Sequence, residues 1–288
     1  MAENGQTEPV LIAVYDQMAE RIQQHFGPAF HDLDVDSIHD MRVQIKRLRA
    51  LFKLVGWIIP NFREANAFKP VRKLFKSAGP LRDVHVQQDL LRNWLSKAHH
   101  RHDTYYNYLK NREIEARPVF LKGAGRFDPR FFVKSRQGIE GLLNAYDLQF
   151  LDFKIRQLIR NQIDELKYRK YMEGAGDPEY HQIRIGSKEI RYTLEIYMQS
   201  FQTSEILQTL NDQIRGLHQS LGQWHDIEIA ESFYFAFQKS SCYDQQALSN
   251  VDHKFTQYCF NKKHLHLKQF FQRWSGFEAF LRDNPEII

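Results

Sequence analysis

The sequence predicts an all-α protein made of two similar helical bundles with a basic groove between them, and three observations carry that reading. Apolar residues recur at helical spacing through most of the 288 residues. No segment alternates at period two for long enough to make a strand, and no Asn-Gly or Asp-Gly turn stands between such runs. The chain also repeats itself once. Ile38–Gly56 aligns with Tyr180–Met198, placing His39 on His181, Arg42 on Arg184, Lys46 on Lys188 and Arg49 on Arg191 at a constant shift of 142. A second block, Lys76–Val86, aligns with Gln219–Ile229 at a shift of 143, with Gly79 on Gly222 and Asp83 on Asp226. Two blocks in one order at nearly one spacing indicate a duplication.

In chain order, Val10 to Phe26 is an amphipathic helix that Gly27-Pro28 is expected to end. Ser37-Ile-His-Asp40 has the pattern of a capping box and opens the next helix, whose apolar run stops at Pro60. The Pro- and Gly-bearing stretch from Arg117 to Asp128 reads as the joint between halves. Asp152 to Tyr171 is the counterpart of the first helix and ends in the break at residues 174–178. Asp177 then acts as an N-cap with Pro178 at the first helical position. About ten helices are expected, with residues 8–145 forming the first repeat and 146–284 the second.

Composition narrows the function classes. The apolar fraction of 42% and charged fraction of 26% are those of a globular chain, so disorder and coiled coil are poor fits. Two cysteines, Cys242 and Cys259, form no disulfide framework and no metal-ligand spacing. The start MAENGQTEPV lacks the basic-then-apolar order of a signal peptide, and no apolar run approaches the roughly 18 residues of a membrane span. A soluble cytoplasmic protein, with no membrane partner and no cofactor, is the expectation. The net charge of +5 says little alone, but from Arg42 to Arg82 there are eleven Lys or Arg residues and one acid, Glu64. Such a concentration points to an anionic partner.

On a helical wheel His39, Arg42, Lys46, Arg49 and Lys53 fall within roughly 80° of one another, while the remaining circumference carries Val43, Ile45, Leu48, Phe52 and Val55. No acid at i+4 on the same helix relieves the repulsion. The second copy repeats the arrangement with His181, Arg184, Lys188 and Arg191 among Ile183, Ile190, Leu194 and Ile196. Two helices packed on most sides would turn these stripes to a shared groove, where Arg forks and Lys point charges suit phosphate oxygens. His39 and His181 either hold the helix starts or face a ligand; the sequence leaves both open.

These residues resemble the CHAD (conserved histidine α-helical domain) family. The match is to the pattern H-x-x-R-V-x-x-[KR]-[KR]-x-R at His39–Arg49, with a weaker copy at His181–Arg191. The elements at Gly79–Val84 and Gly222–Ile227 support it. The resemblance implies two pseudo-symmetric four-helix bundles around a basic cavity that binds inorganic polyphosphate, without catalysis and in some members at polyphosphate granules. It implies contacts from Arg42, Lys46, Arg49, Arg184, Lys188 and Arg191, with His39 and His181 beside them. Arg47 matches the motif's second adjacent basic position but lies off the stripe. Lys53, Arg72, Lys73, Lys76 and Arg82 are added from the basic run itself. Glu195 stands where Lys53 does, so the second half of the groove is expected to be less positive.

Other readings rank lower. His31-Asp32, His39-Asp40 and His225-Asp226 suggest a metal-dependent phosphohydrolase, but Gln182 replaces Asp40 and Arg82 replaces His225 between copies, so no ligand set persists. Glu113-Ile-Glu-Ala-Arg117 distantly matches the E-x-E-x-K strand of triphosphate tunnel enzymes and reads instead as a charged helix end. His99, His100, His102, His264 and His266 offer only adventitious metal binding. A nucleic-acid binder is the runner-up, set back because the stripes carry no Asn, Gln or aromatic group for bases.

Overall fold

The computed structural model describes residues 10–98, 102–172, 177–201 and 203–287. Among them are eleven helices and no strand. The first, α1 (Val10–His31), buries Leu11, Ile12, Tyr15, Met18 and Ile22, the i, i+3, i+4, i+7 pattern of a helix with one core face. It does not stop at Gly27-Pro28 as the sequence suggested. Pro28 lies in its last turn, so the single i−4 hydrogen bond its missing N–H forgoes is one of the helix's last, and the Pro28 carbonyl accepts from Asp32 (3.0 Å) and Asp34 (3.4 Å).

Leu33 reverses the chain with φ 55°. Asp34 then caps α2 (Val35–Ile58), its carboxylate accepting from the Ser37 backbone N–H at 2.8 Å. The helix thus begins ahead of the expected capping box, and Ser37 and Asp40 lie inside it. Ile38, Met41, Ile45, Leu48, Leu51, Phe52 and Val55 are buried, enclosing α2 on most sides.

The basic run after Pro60 makes two short helices, α3 (Glu64–Ala67) and α4 (Lys69–Ser77), which lead directly into α5 (Gly79–Ala98). Helix α6 (Asp103–Ala124) returns along α5 and passes through Pro118, so the stretch expected to be a break is helical as far as Ala124, and α7 (Arg130–Leu143) follows. At Gly123 α6 lies so close to α4 that a Cβ would overlap the Ser77 side chain. Glu113 is not at a helix end but inside α6, buried, accepting from Gln88 (2.8 Å) and Arg117 (2.6 Å).

Helices α8 (Leu148–Met172) and α9 (Asp177–Ser200) form the next antiparallel pair. Helices α10 (Glu205–Gln238) and α11 (Gln245–Asp283) are the longest, α10 spanning roughly 50 Å at 1.5 Å per residue. Ser204 caps α10 by accepting from Leu207 N–H. The main core joins α1, α2 and α4 to α8, α9 and the facing parts of α6, α7, α10 and α11. A second apolar cluster gathers Trp94, Tyr105, Tyr234, Phe237 and Phe255 from α5, α6, α10 and α11. Among the described residues no helix is long and apolar enough to cross a membrane.

Candidate functional site

Helices α2 and α9 pack against each other with α5 and α10 alongside, and the unburied sides of all four enclose a cavity of about 580 Å³. Its walls carry His39, Arg42 and Lys46 from α2, Arg82 and Asp83 from α5, Arg184, Lys188 and Arg191 from α9, and His218, His225 and Asp226 from α10. A second cavity of about 340 Å³ adjoins it, walled by Lys46, Arg49 and Lys53 of α2, Phe68, Arg72, Phe75 and Lys76 around α4, and the same stretch of α9. Lys46, Arg184, Lys188 and Tyr192 line both, so the two spaces form one trough with these residues at its waist.

Charge in the trough is unevenly compensated. Arg42, Lys46, Arg184 and Lys188 make no ion pair among the described residues, although carboxylates lie farther off. Arg42 donates to the Phe75 carbonyl (2.6 Å) and lies 4.1 Å from the Phe75 ring centroid. Burial, together with the neighbouring cations Arg42 and Arg184, pushes the Lys46 ammonium down to about 8. Burial and the charges of Lys46, Arg184 and Arg191 push Lys188 down to about 7. The histidines respond likewise: His218 falls to about 3 and His225 to about 4, each through burial first and adjacent cations second. His39 and His181 are also lowered by desolvation, helped by Arg82 and Arg184 respectively. The cavity walls displace enough water to raise Asp226 to about 6 against the pull of Arg184 and Lys46, and desolvation raises Asp83 in the same direction.

Not every residue picked from the sequence reaches this trough. Arg47 turns away and pairs with Glu195 of α9 (2.6 Å), which also holds Arg191 at 3.4 Å. Lys73 is exposed and lines a different cavity on the opposite side of α4. These two are corrections: the first points across the helix pair, and the second lies on the outer face of a nine-residue helix. Arg49 and Lys53 do line the trough, but Glu64 (3.3 Å) and Glu189 respectively neutralise them. His181 stands at the rim, its ring 5.1 Å from that of His225. Arg72, Lys76 and Arg82 lie where the basic run placed them, along the walls.

Sequence reasoning missed Phe75, Tyr192, Gln87, His218, His225, Asp83 and Asp226 as site residues. The two aspartates were visible in the repeated Gly-x-x-x-Asp blocks, where they served only to align the halves. Phe75 and Gln87 come from α4 and α5, and Tyr192 from α9 itself, and they correct the expectation of a groove without aromatic or amide groups. Their faces are already covered: Arg191 lies 4.6 Å from the Tyr192 ring, as Arg42 does over Phe75. Among the described residues no group of three or more His, Cys, Asp or Glu side chains is arranged to hold a metal. His99 and His100 lie outside the described residues.

Fold and cavity together define an all-helical domain with a cation-lined trough between its central helices. A family model for the CHAD domain matches residues 13–234, and the chain belongs to that family. The crystal structure of the CHAD domain from the plant Ricinus communis superposes with TM-score 0.58 at 17% identity, over 95% of this chain and 89% of that one. PptA from Streptomyces chartreusis gives TM-score 0.70 at 12% identity, over 93% and 99%. At such identities the likeness is one of fold. No curated protein matches the sequence.

Proposed function

We propose that this chain is a non-catalytic binding module for inorganic polyphosphate, held in a basic channel between α2 and α9. The observation that carries the reading is the group of four partly buried cations, Arg42, Lys46, Arg184 and Lys188, that share one trough without a carboxylate in ion-pair contact. Enclosing like charges is unfavourable unless something else gains by it, and a chain of phosphates supplies the missing countercharge. Family membership supports the same ligand class.

In this reading residues 8–145 and 146–284 are the two copies of a duplicated unit. Helices α2 and α9 supply the paired stripes, and α5 and α10 supply Arg82–Asp83 and His225–Asp226 as matching walls. A linear polyanion lies along the waist formed by Lys46, Arg184 and Lys188, with Arg42 and Arg82 toward one end and Arg72 and Lys76 toward the other. Its charge relieves the mutual repulsion of the lysines, so the fraction present as neutral amine takes up protons and binds more firmly. Release of counterions makes affinity grow with chain length and fall with salt. The chain works in the cytoplasm, in association with polyphosphate granules where these exist.

A nucleic acid is the second reading, favoured by Phe75, Tyr192 and Gln87 in the walls. Competition separates the two. Labelled long-chain polyphosphate is titrated at about 0.15 M salt against single-stranded RNA, duplex DNA and ATP. Polyphosphate is expected to win by a wide margin with no phosphate released over hours. Equal competition by RNA would make the trough a general polyanion site, and steady phosphate release would make the protein a hydrolase.

A further inference from the structure

A further cavity lies apart from the trough's two spaces. It measures about 930 Å³ and lies on the other side of α4, between that helix, the end of α6 and α7. Its floor is apolar: Phe52, Phe62, Phe127, Phe131, Ile139 and Leu142. The rings are in mutual contact, Phe52 lying 5.9 Å from Phe62 and 6.4 Å from Phe131, and Phe127 6.3 Å from Phe131. Leu142 is 39% exposed and Phe62, Phe127 and Phe131 are half-buried, while Phe52 beneath them is fully buried.

The rim has one dominant sign. Lys69, Lys73, Lys76, Arg126 and Lys134 surround the floor. The carboxylate among them, Asp128, is taken by Arg130 at 2.9 Å. Lys69, Lys73, Lys76 and Arg126 form no ion pair among the described residues. Volume and lining match those of pockets for small molecules with an apolar body and a polar end, which run about 300–1,000 Å³.

Gly138 is an exposed residue at the edge of the cavity. It lies within α7 on the cavity wall, and a Cβ added there would meet nothing within 4 Å. Packing does not require the glycine, since no neighbour approaches it. Mid-helix glycine costs about 1 kcal/mol against alanine. Its effect here is to leave space in the wall that any larger residue would fill.

We propose that this cavity is a binding site for a single-tailed amphipathic anion, a long-chain aliphatic carboxylate. The tail lies over Phe52, Phe131 and Leu142, and the head reaches the edge formed by Lys69, Lys73 and Lys76. Carboxylate and ammonium form a charge-assisted bond at the water boundary, while the tail removes the exposed rings from water.

The test uses the full chain and a fluorescent aromatic sulfonate, anilinonaphthalene sulfonate, displaced by dodecanoate, by dodecanol or by inorganic phosphate. Dodecanoate is expected to displace the probe about tenfold more strongly than dodecanol, and phosphate not at all. Gly138→Leu is expected to weaken dodecanoate by about tenfold or more while polyphosphate affinity and melting temperature hold. Lys69→Ala with Lys73→Ala should abolish the preference for the acid over the alcohol. Both lysines are exposed, so that pair still tests the site if Gly138→Leu folds poorly. Unchanged dodecanoate binding in Gly138→Leu, or equal binding of acid and alcohol in the parent chain, overturns the proposal.

Discussion

Around His102, where α5, α6, α10 and α11 meet, enclosed polar groups answer one another, the Tyr105 hydroxyl excepted. His102 contacts the Tyr234 hydroxyl at 2.8 Å, Tyr234 donates to one oxygen of Asp252, and Tyr243 donates to the other. Because the Tyr234 proton goes to Asp252, His102 must donate from Nε2, and only its Nδ1 lone pair lacks a partner. In the trough, Lys46 and Lys188 are likewise withdrawn from water, but the charges acting on them are mostly cations, Arg42 and Arg184 on Lys46 and Lys46, Arg184 and Arg191 on Lys188, with Asp226 a weaker opposing charge on Lys46. The first arrangement is what a stable interior requires. The second would be selected against unless an anion completed it, and this contrast separates scaffold from site better than burial does.

The sharpest way to break that comparison is to remove the two lysines. Lys46→Met with Lys188→Met should lower polyphosphate affinity by about 100-fold or more, since charge-assisted contacts contribute roughly 1.5–3 kcal/mol each. Binding isotherms at fixed salt measure this. The same change should stabilise the unliganded protein, raising its melting temperature by about 5 °C at pH 7. The sign follows from linkage. Both lysines titrate lower when folded, at about 8 and 7, than the 10.5 of the open chain, so the unfolded chain binds more protons between those values. The parent's penalty is therefore full below about pH 7 and fades as pH rises toward 10.5, and the gap between melting curves should close accordingly. A destabilised double variant would make the lysines structural.

At the other region the signs reverse. Asp252→Asn leaves Tyr234 or Tyr243 facing an amide N–H instead of an acceptor, and should cost about 2 kcal/mol with polyphosphate affinity unchanged. Chemical denaturation and the same binding isotherms read both. Equal loss of binding would mean that the distal cluster positions the trough.

These two regions were not equally legible in the sequence. The cations of α2 and α9 stood out because the chain states them twice, and the helical wheel places them on one side of each helix. His102 was read with His99 and His100 as part of an exposed polar run, and its burial depends on Tyr234 and Asp252, far along the chain. Arg47 looked like a ligand because only its own helix could be searched for a counter-ion, while Glu195 answers it from the other half. Glu64 and Glu189 hide Arg49 and Lys53 from the sequence in the same way. Local signals were degenerate too: Asp34 and Ser37 are both good caps three residues apart, and it is Asp34 that caps α2. Periodicity finds what one helix does with its own residues; it cannot find which charges a neighbouring helix cancels.

The pH dependence of binding sharpens the comparison further, because the trough holds groups whose titration is displaced toward neutral pH. Between about pH 9 and 6 the two lysines become cationic, and near pH 6 Asp226 loses its charge. His218 and His225 stay neutral until about 3 and 4. Affinity should therefore rise severalfold as pH falls to 6, with the histidines contributing nothing, and His218→Gln should leave the profile in place. A profile that vanishes in His218→Gln would transfer the proton uptake to that ring.

The smallest expected effect lies where the two regimes meet. Glu195 is the carboxylate that turns one trough residue, Arg191, and one non-trough residue, Arg47, into scaffold. Glu195→Gln removes that neutralisation without changing shape. Arg191 is then free to act on the cavity it already lines, and affinity should rise about two- to threefold, steepening with lower salt. Arg47, less than a quarter exposed, loses its ion-pair partner, so stability should fall by about 1 kcal/mol. Opposite signs in the two measurements are what a residue on the boundary between site and scaffold requires, because one charge cannot both hold the helices together and leave the trough positive. A fall in both would place Arg191 wholly in the scaffold and shorten the channel to Arg42, Lys46, Arg184 and Lys188.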